Sequence, residues 1–301
     1  MHLEIEKLIY GGDGLARLPA DEKGRGKTVF LPFAAPGDHV DARIVESRSG
    51  FARATIEKIL APSADRIAPG CPYFGPCGGC HYQHLNYSAQ LRYKAEILRE
   101  TLLRTAKLDL RQGIRVHPSQ PWNYRNRTRL HLRHAPQFAL GYHRQNSHDL
   151  LAVEQCPISS PLINQAIAAV WTLGHAAQVP ASIHALQLFA NHDDNQLLVE
   201  AFLRPGSDTQ KCERFAEAMR QQVSALAGVV LFHALPQEDE SHQRAPLTAN
   251  DADSARAIGA GFLIYEAAGR RYRVSGGSFF QTNRFLAGQL DQPGGQALVL
   301  A

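Results

Sequence analysis

Apolar and polar positions alternate from the start of the chain. Leu3-Glu4-Ile5-Glu6-Lys7-Leu8 has the period of two that turns one face of a strand toward a core. Gly11-Gly12-Asp13-Gly14 follows as a turn in which positive φ costs little. Thr28–Pro32, His39–Val45 and Phe51–Leu60 are further strands, separated by the polar loop Asp21–Lys27 and the turn Pro36-Gly37-Asp38. Short strands at this spacing predict a small closed β-barrel over residues 1–60, a form that often binds oligonucleotides. The Gly-rich turn is not a dinucleotide loop, because a strand follows it and no helix does.

Beyond a linker over 61–70 the period lengthens. Ser88–Thr105 is predicted as a helix, with Ser88 as N-cap and Leu91, Ala95, Leu98 and Leu102 on one face. Phe138–Tyr142 and Leu150–Val153 are predicted strands. Ser160-Pro161 then opens a helix that Gly174 closes. Strands over 183–190 and 196–203 flank the turn Asn191–Asn195, and Ser207-x-x-Gln210 is a capping-box pattern. On the helix after it Cys212, Phe215, Ala216 and Met219 share a face, which makes Cys212 a core residue and a poor nucleophile. Gly228–Leu235 is a strand, Pro236–Asp253 a polar loop, and 261–266 with 271–274 a closing hairpin.

Composition excludes a few classes. No apolar run approaches the roughly 20 residues that span a bilayer, and the alternating start is not a signal peptide. No membrane association is expected, and a cytoplasmic, reducing location is the default. Charge is uneven: residues 1–60 are neutral, 61–150 carry +8 and 151–301 carry −4, within a total of +4. The basic middle points to a polyanion partner. In Tyr124-Arg125-Asn126-Arg127-Thr128-Arg129-Leu130-His131-Leu132-Arg133, a strand would align Arg125, Arg127, Arg129, His131 and Arg133 on one face and turn Leu130 and Leu132 inward. Such a row suits a phosphate backbone, and Trp122 and Tyr124 could stack on unpaired bases. The alternative is a charged sheet face paired with carboxylates.

Three of the five cysteines lie within Cys71-Pro72-Tyr73-Phe74-Gly75-Pro76-Cys77-Gly78-Gly79-Cys80, and Cys156 follows far downstream. Disulfides are the weakest explanation for a long chain with few, odd-numbered cysteines. Zinc could use Cys77 and Cys80 with Cys71 and His81 or His84. An iron–sulfur cluster could take three thiolates from one tight loop and a fourth from elsewhere.

Gly276-Gly277-Ser278-Phe279-Phe280-Gln281-Thr282-Asn283 completes an ordered set: the barrel, C-x5-C-x2-C with a distant cysteine, Tyr124-Arg125, and F-x-Q-x-N. The set resembles the RNA uracil-C5 methyltransferases that carry an N-terminal TRAM domain and a [4Fe-4S] cluster. The resemblance implies cluster ligands Cys71, Cys77, Cys80 and Cys156. It implies S-adenosylmethionine contact by Gln281 and RNA stacking by Phe279, and the strand pattern above puts Tyr124, Arg125, Arg127, Arg129 and Arg133 on the RNA as well. It also implies ribosomal RNA or tRNA as partner; no protein partner is implied.

The expected fold class is multidomain β and α+β. It comprises an OB-like TRAM barrel (1–60), an iron–sulfur loop and helix (61–110), a mixed α/β central RNA-binding domain that supplies the fourth cysteine (111–275), and the start of a methyltransferase domain (276–301). Ala297–Ala301 resembles the first strand of that Rossmann-like domain, and no G-x-G-x-x-G turn follows a strand. The family's C-terminal catalytic domain is therefore expected to be missing, with no catalytic residue in this chain. On that reading the chain is the RNA-binding, cluster-bearing front portion of a methyltransferase, inactive alone. A stand-alone iron–sulfur RNA-binding module, a zinc-binding RNA-binding protein and a small redox sensor are the alternatives.

Overall fold

A computed structural model describes residues 1–19, 26–110, 114–233, 255–289 and 298–300. The chain forms two compact units, Met1–Pro118 with Gly294–Ala301, and Ser119–Pro293. Most of the polar loops expected at Asp21–Lys27 and Pro236–Asp253 lie outside the described residues.

In the first unit, β1 (His2–Glu4), β2 (Lys7–Leu8), β3 (Gly14–Arg17), β4 (Thr28–Leu31), β5 (His39–Ser47) and β6 (Phe51–Ala61) form one sheet in the order β1-β5-β6-β4-β3-β2. Its two edges belong to consecutive stretches of chain. Leu3 pairs with Val40 of β5, while Lys7 pairs with Leu15 of β3. A segment that serves both edges curls the sheet onto itself, around Leu3, Ile5, Val29, Leu31, Val40 and small alanines.

Helix α1 (Tyr87–Ala106) begins one residue earlier than the sequence pattern suggests. Asn86 is its N-cap and accepts from the Ala89 N–H at 2.8 Å, while Ser88 Oγ donates to the Asn86 side chain. Ala95 is buried as its spacing implies, but the rest of the stripe is rotated. Ala89 and Tyr93, with Ile97 beside them, pack on Leu8, Ala35 and Leu85, whereas Leu98 and Leu102 stay half exposed. Tyr93 displaces the leucines as anchor because its hydroxyl finds Asp65 Oδ2 at 2.6 Å, so its ring is buried without an orphaned polar atom. The short β7 (Arg115–His117) is a strand that no sequence signal announced.

The second unit is built on a seven-stranded sheet. In chain order its elements are β8 (Arg127–Arg133), β9 (Ala139–His143), β10 (Leu150–Ala152), α2 (Pro161–His175), β11 (Ile183–Ala190), β12 (Leu197–Leu203), α3 (Thr209–Gln222), β13 (Leu226–His233) and β14 (Ala255–Gly259). The strand order is β10-β9-β8-β11-β12-β13-β14, antiparallel except where α3 returns the chain to lay β13 parallel to β12. Leu130, Leu186, Leu188, Val199 and Leu231 pack from one face onto α2 and α3. A hairpin of β15 (Phe262–Ala267) and β16 (Arg270–Ser275) covers the other face through Leu263, Tyr265 and Val274. Every residue of β12 is consequently buried.

Two helix ends depart from expectation. Gly174 lies inside the last turn of α2, where a Cβ would overlap the Phe138 ring, so it serves packing and not chain reversal. Asp208, and not Ser207, caps α3 by accepting from Gln210 and Lys211 N–H. The final strand, β17 (Leu298–Leu300), pairs in parallel with β7 in the first unit.

Candidate nucleic-acid interface

The two motifs of the second unit meet through their backbones. Arg125 and Asn283 form an antiparallel bridge. Asn126 N–H donates to Thr282 O at 2.8 Å, and Arg284 N–H to Tyr124 O at 2.9 Å. The opposite edge of the same segment is held by the stretch after Cys156. Asn123 N–H reaches Pro157 O, Arg125 N–H reaches Ile158 O at 2.8 Å, and Ser160 N–H returns to Arg125 O at 2.9 Å. Buried Asn126 fixes the strand further, donating from Nδ2 to the Tyr265 hydroxyl at 3.0 Å. Tyr124-Arg125, F-x-Q-x-N and the chain beyond Cys156 thus form one short three-stranded patch.

The arginine row divides. Arg133 is exposed, Arg125 and Arg129 are half-buried, and Arg127 is buried. Arg129 lies 3.7 Å from the Phe202 ring centre and Arg127 4.2 Å from that of Phe189. Arg127 Nη2 stands 3.5 Å from Glu200 Oε1, and its Nη1 donates to the Ser278 carbonyl. Glu200 is fully buried and also accepts from Gln187 Nε2 at 2.7 Å and from the Gly277 N–H. Burial pushes the Glu200 carboxyl above the usual range, opposed by Arg127 and by those two donors. Burial also draws Arg127 down, opposed by Glu200. The arginine row and the carboxylate-paired face were competing expectations, and Arg127 has the surroundings of the second. The signal for it was a lone acid, Glu200, within the apolar run Leu197–Leu203.

Beyond Ser278 the side chains alternate. Phe279 is 82% exposed and Gln281 is exposed. Phe280 turns inward, its ring 4.4 Å from that of Tyr265. Asn283 Oδ1 accepts from Phe285 N–H at 3.1 Å, holding the turn after the motif.

The thiols sit in two places. Cys71, Cys77 and Cys80 are half-buried in the first unit, on a loop closed by Phe74 N–H to Cys71 O and Cys77 N–H to Tyr73 O, with Gly75 at φ 95°. Phe74 stacks on His84, whose Nε2 lies 3.2 Å from Ala34 O. Burial lowers the His84 pKa to about 4. Its Nε2 is committed to the barrel, while its Nδ1 is buried without a hydrogen-bond partner among the described residues. Cys156 is half-buried in the second unit. Its backbone is clasped by Asn164, and its thiol is hydrogen-bonded to Tyr142. Tyr142 also meets Thr128 Oγ1 at 2.7 Å, and burial raises its pKa strongly. Three half-buried thiols outside any disulfide, on a turn-rich loop, fit an iron–sulfur cluster in donor type. Among the described residues no three of His, Cys, Asp and Glu are grouped closely enough to hold a single metal ion. Cys212 is fully buried, and burial raises its thiol pKa. No catalytic nucleophile is assigned.

Residues 1–56 match the TRAM domain family. An uncharacterized RNA methyltransferase of Aquifex aeolicus is 30% identical over 285 residues, which is 94% of this chain and 60% of that protein. The 23S rRNA (uracil(1939)-C(5))-methyltransferase RlmD of Halomonas elongata is 32% identical over 228 residues, 75% of this chain and 46% of that protein. The chain is thus similar to RNA methyltransferases over most of its length, and to a 23S rRNA uracil-C5 methyltransferase over 75% of it.

The crystal structure of Pyrococcus abyssi tRNA (uracil-54, C5)-methyltransferase, in complex with S-adenosyl-L-homocysteine, matches this chain with a TM-score of 0.66. That likeness covers 96% of this chain and 63% of the other at 20% identity, and it speaks to fold alone. The chain spans 60% or less of the length of the two sequence relatives. An architecture with the methyltransferase domain missing is corrected by these coverages. The matches to methyltransferase chains run over 94% and 96% of this one, so its mixed sheets and helices lie within the methyltransferase fold and do not merely precede it. The reading as an inactive front portion loses its support with that correction. Among the described residues, no helix is long and apolar enough to cross a membrane.

Proposed function

We propose that the chain binds uridine-containing RNA, ribosomal RNA or tRNA, and presents a uridine for transfer of a methyl group from S-adenosylmethionine to uracil C5. The observation that carries this reading is the backbone pairing of Tyr124-Arg125-Asn126 with Thr282-Asn283-Arg284. It sets an exposed aromatic, Phe279, and an exposed amide, Gln281, on a loop tied to the strand that bears the arginines.

Phe279 stacks on an unpaired base, and Gln281 contacts the methyl donor. Tyr124, Arg125, Arg129 and Arg133 contact the RNA. Arg127 belongs to this set through the loop backbone that it holds. The TRAM barrel adds a second RNA-binding surface. In the reaction, a thiolate adds to uracil C6, and the C5 enolate takes the methyl group from the sulfonium as the sulfur–methyl bond breaks. A base then removes the C5 proton and the thiolate departs.

Cys71, Cys77, Cys80 and Cys156 are the proposed [4Fe-4S] ligands, in a cytoplasmic setting where such thiols stay reduced. The cluster would tie down its loop, and no step of the methyl transfer passes through it. Binding is tested with a labelled uridine-containing single strand and its DNA counterpart, and iron by analysis of anaerobically prepared protein. Submicromolar RNA binding with about four irons per chain is expected. A protein without RNA affinity would refute the reading, and one without iron would remove the cluster from it.

A further inference from the structure

Arg127 and Glu200 meet one loop, with Arg127 Nε and Nη2 and Glu200 Oε1 buried without hydrogen-bond partners among the described residues. The guanidinium donates to the Ser278 carbonyl, the carboxylate accepts the Gly277 N–H, and the two ions face each other at 3.5 Å. Gln187 holds the second carboxylate oxygen at 2.7 Å. The Arg127 side chain is 9% exposed and that of Glu200 0%, so neither can reach a phosphate without leaving this arrangement. Gly277 has φ 81°, a conformation that bends the chain sharply just before Phe279. The grip is on the backbone. The side chains that follow are left to alternate, Phe280 into the core with Tyr265 and Phe189, Phe279 and Gln281 outward.

A buried ion pair is costly to desolvate, and a wholly apolar face would stabilise the sheet as well. Its position under the two exposed motif residues supplies a reason for it. We propose that Arg127 and Glu200 are positioning residues, a buried pair that grips the Gly277–Ser278 backbone and so presents Phe279 to the RNA base and Gln281 to the methyl donor. This rests on the RNA-binding reading above and deepens it. It sets Arg127 apart from Arg133, the exposed end of the arginine row.

The two roles open to Arg127 give opposite signatures. A phosphate contact would make Arg127→Met lower the slope of log K against log salt by about 0.7. It would also make Glu200→Gln, which removes a negative charge, neutral or favourable for RNA. A positioning pair makes both variants weaken binding with the slope unchanged.

The experiment uses the full chain with Arg127→Met, Arg127→Lys, Glu200→Gln, Phe279→Ala and the Glu200→Gln/Phe279→Ala double variant. It combines hydrogen exchange of the peptide over 275–282, without RNA, with affinity for a uridine-containing single strand at two salt concentrations. Glu200→Gln keeps the shape of the site, and Arg127→Lys keeps the charge, so a folding failure in one leaves the other. Exchange at least tenfold faster, and affinity five- to twentyfold weaker with no further loss from Glu200→Gln in the Phe279→Ala background, is expected. Unchanged exchange overturns the clamp. Faster exchange with unchanged RNA affinity, or penalties that simply add, overturns its role in presenting Phe279. Should Phe279→Ala alone bind RNA normally, the stacking role given to Phe279 fails, while the exchange result still judges the clamp.

Discussion

Asn126 donates from its buried amide to the Tyr265 hydroxyl at 3.0 Å, and its own N–H reaches Thr282 O at 2.8 Å. One residue therefore ties the strand of arginines both to the covering hairpin and to the motif loop. Asn126→Ala is expected to lower stability by about 1–3 kcal/mol, because the loss strands a buried hydroxyl. Chemical denaturation measures this, and RNA affinity is expected to fall with it. A variant as stable as the parent would contradict the assignment.

Arg133 is the exposed end of the arginine row. Arg133→Ala is expected to weaken RNA binding and to reduce the salt slope by about 0.7 for a single-stranded ligand. Titrations at three salt concentrations decide this, and a parallel line displaced only in affinity would argue against a phosphate contact.

The strand and hairpin pattern was legible because period-two alternation reports burial directly. Leu130 and Leu132 face the helices as their spacing implies. What was not legible depends on partners distant in sequence. Arg127 reads as one more surface arginine until Glu200, alone in an apolar strand, comes to lie beneath it. The stripe of α1 was misjudged for a similar reason. Leucines outrank tyrosine in apolar character, yet Asp65 gives the Tyr93 hydroxyl a partner and the ring goes inside. The cysteine spacing suggests a site, whereas a grouping of four sulfurs depends on tertiary structure that spacing does not encode.

His84 gives the first unit a defined pH response. Its ring is buried, and desolvation lowers its pKa to about 4 from 6.5. The unfolded chain takes up the proton first as pH falls. The stabilisation is therefore complete above about pH 6.5 and is lost as pH drops toward 4, by about 3 kcal/mol in all at 1.36 kcal/mol per unit. His84→Phe is expected to flatten the stability profile in that window. Asp38 titrates lower: its Arg66 and backbone hydrogen bonds outweigh burial and hold its pKa down, so its contribution is lost only below the ordinary carboxylate range. A wild-type profile flat from pH 6.5 to 4.5 would rule the His84 account out.

Gly174 leaves room for the Phe138 ring against α2. Gly174→Ala would ordinarily strengthen a helix by about 1 kcal/mol. Here overpacking is expected to win, with a net loss of about 1–2 kcal/mol. Adding Phe138→Leu should recover most of it. Thermal unfolding of the single and double variants tests this, and a more stable Gly174→Ala protein would show the contact to be compliant.

The central claim is that the paired motifs form an RNA-binding surface with Phe279 at its exposed point. The most direct measurement is the affinity of wild-type and Phe279→Ala protein for a uridine-containing single strand, by fluorescence anisotropy at fixed salt. Stacking on one base is worth about 1–3 kcal/mol, so a loss of about five- to a hundredfold with an unchanged melting temperature is predicted. Equal affinity of the two proteins, or no measurable RNA binding by either, would contradict the account.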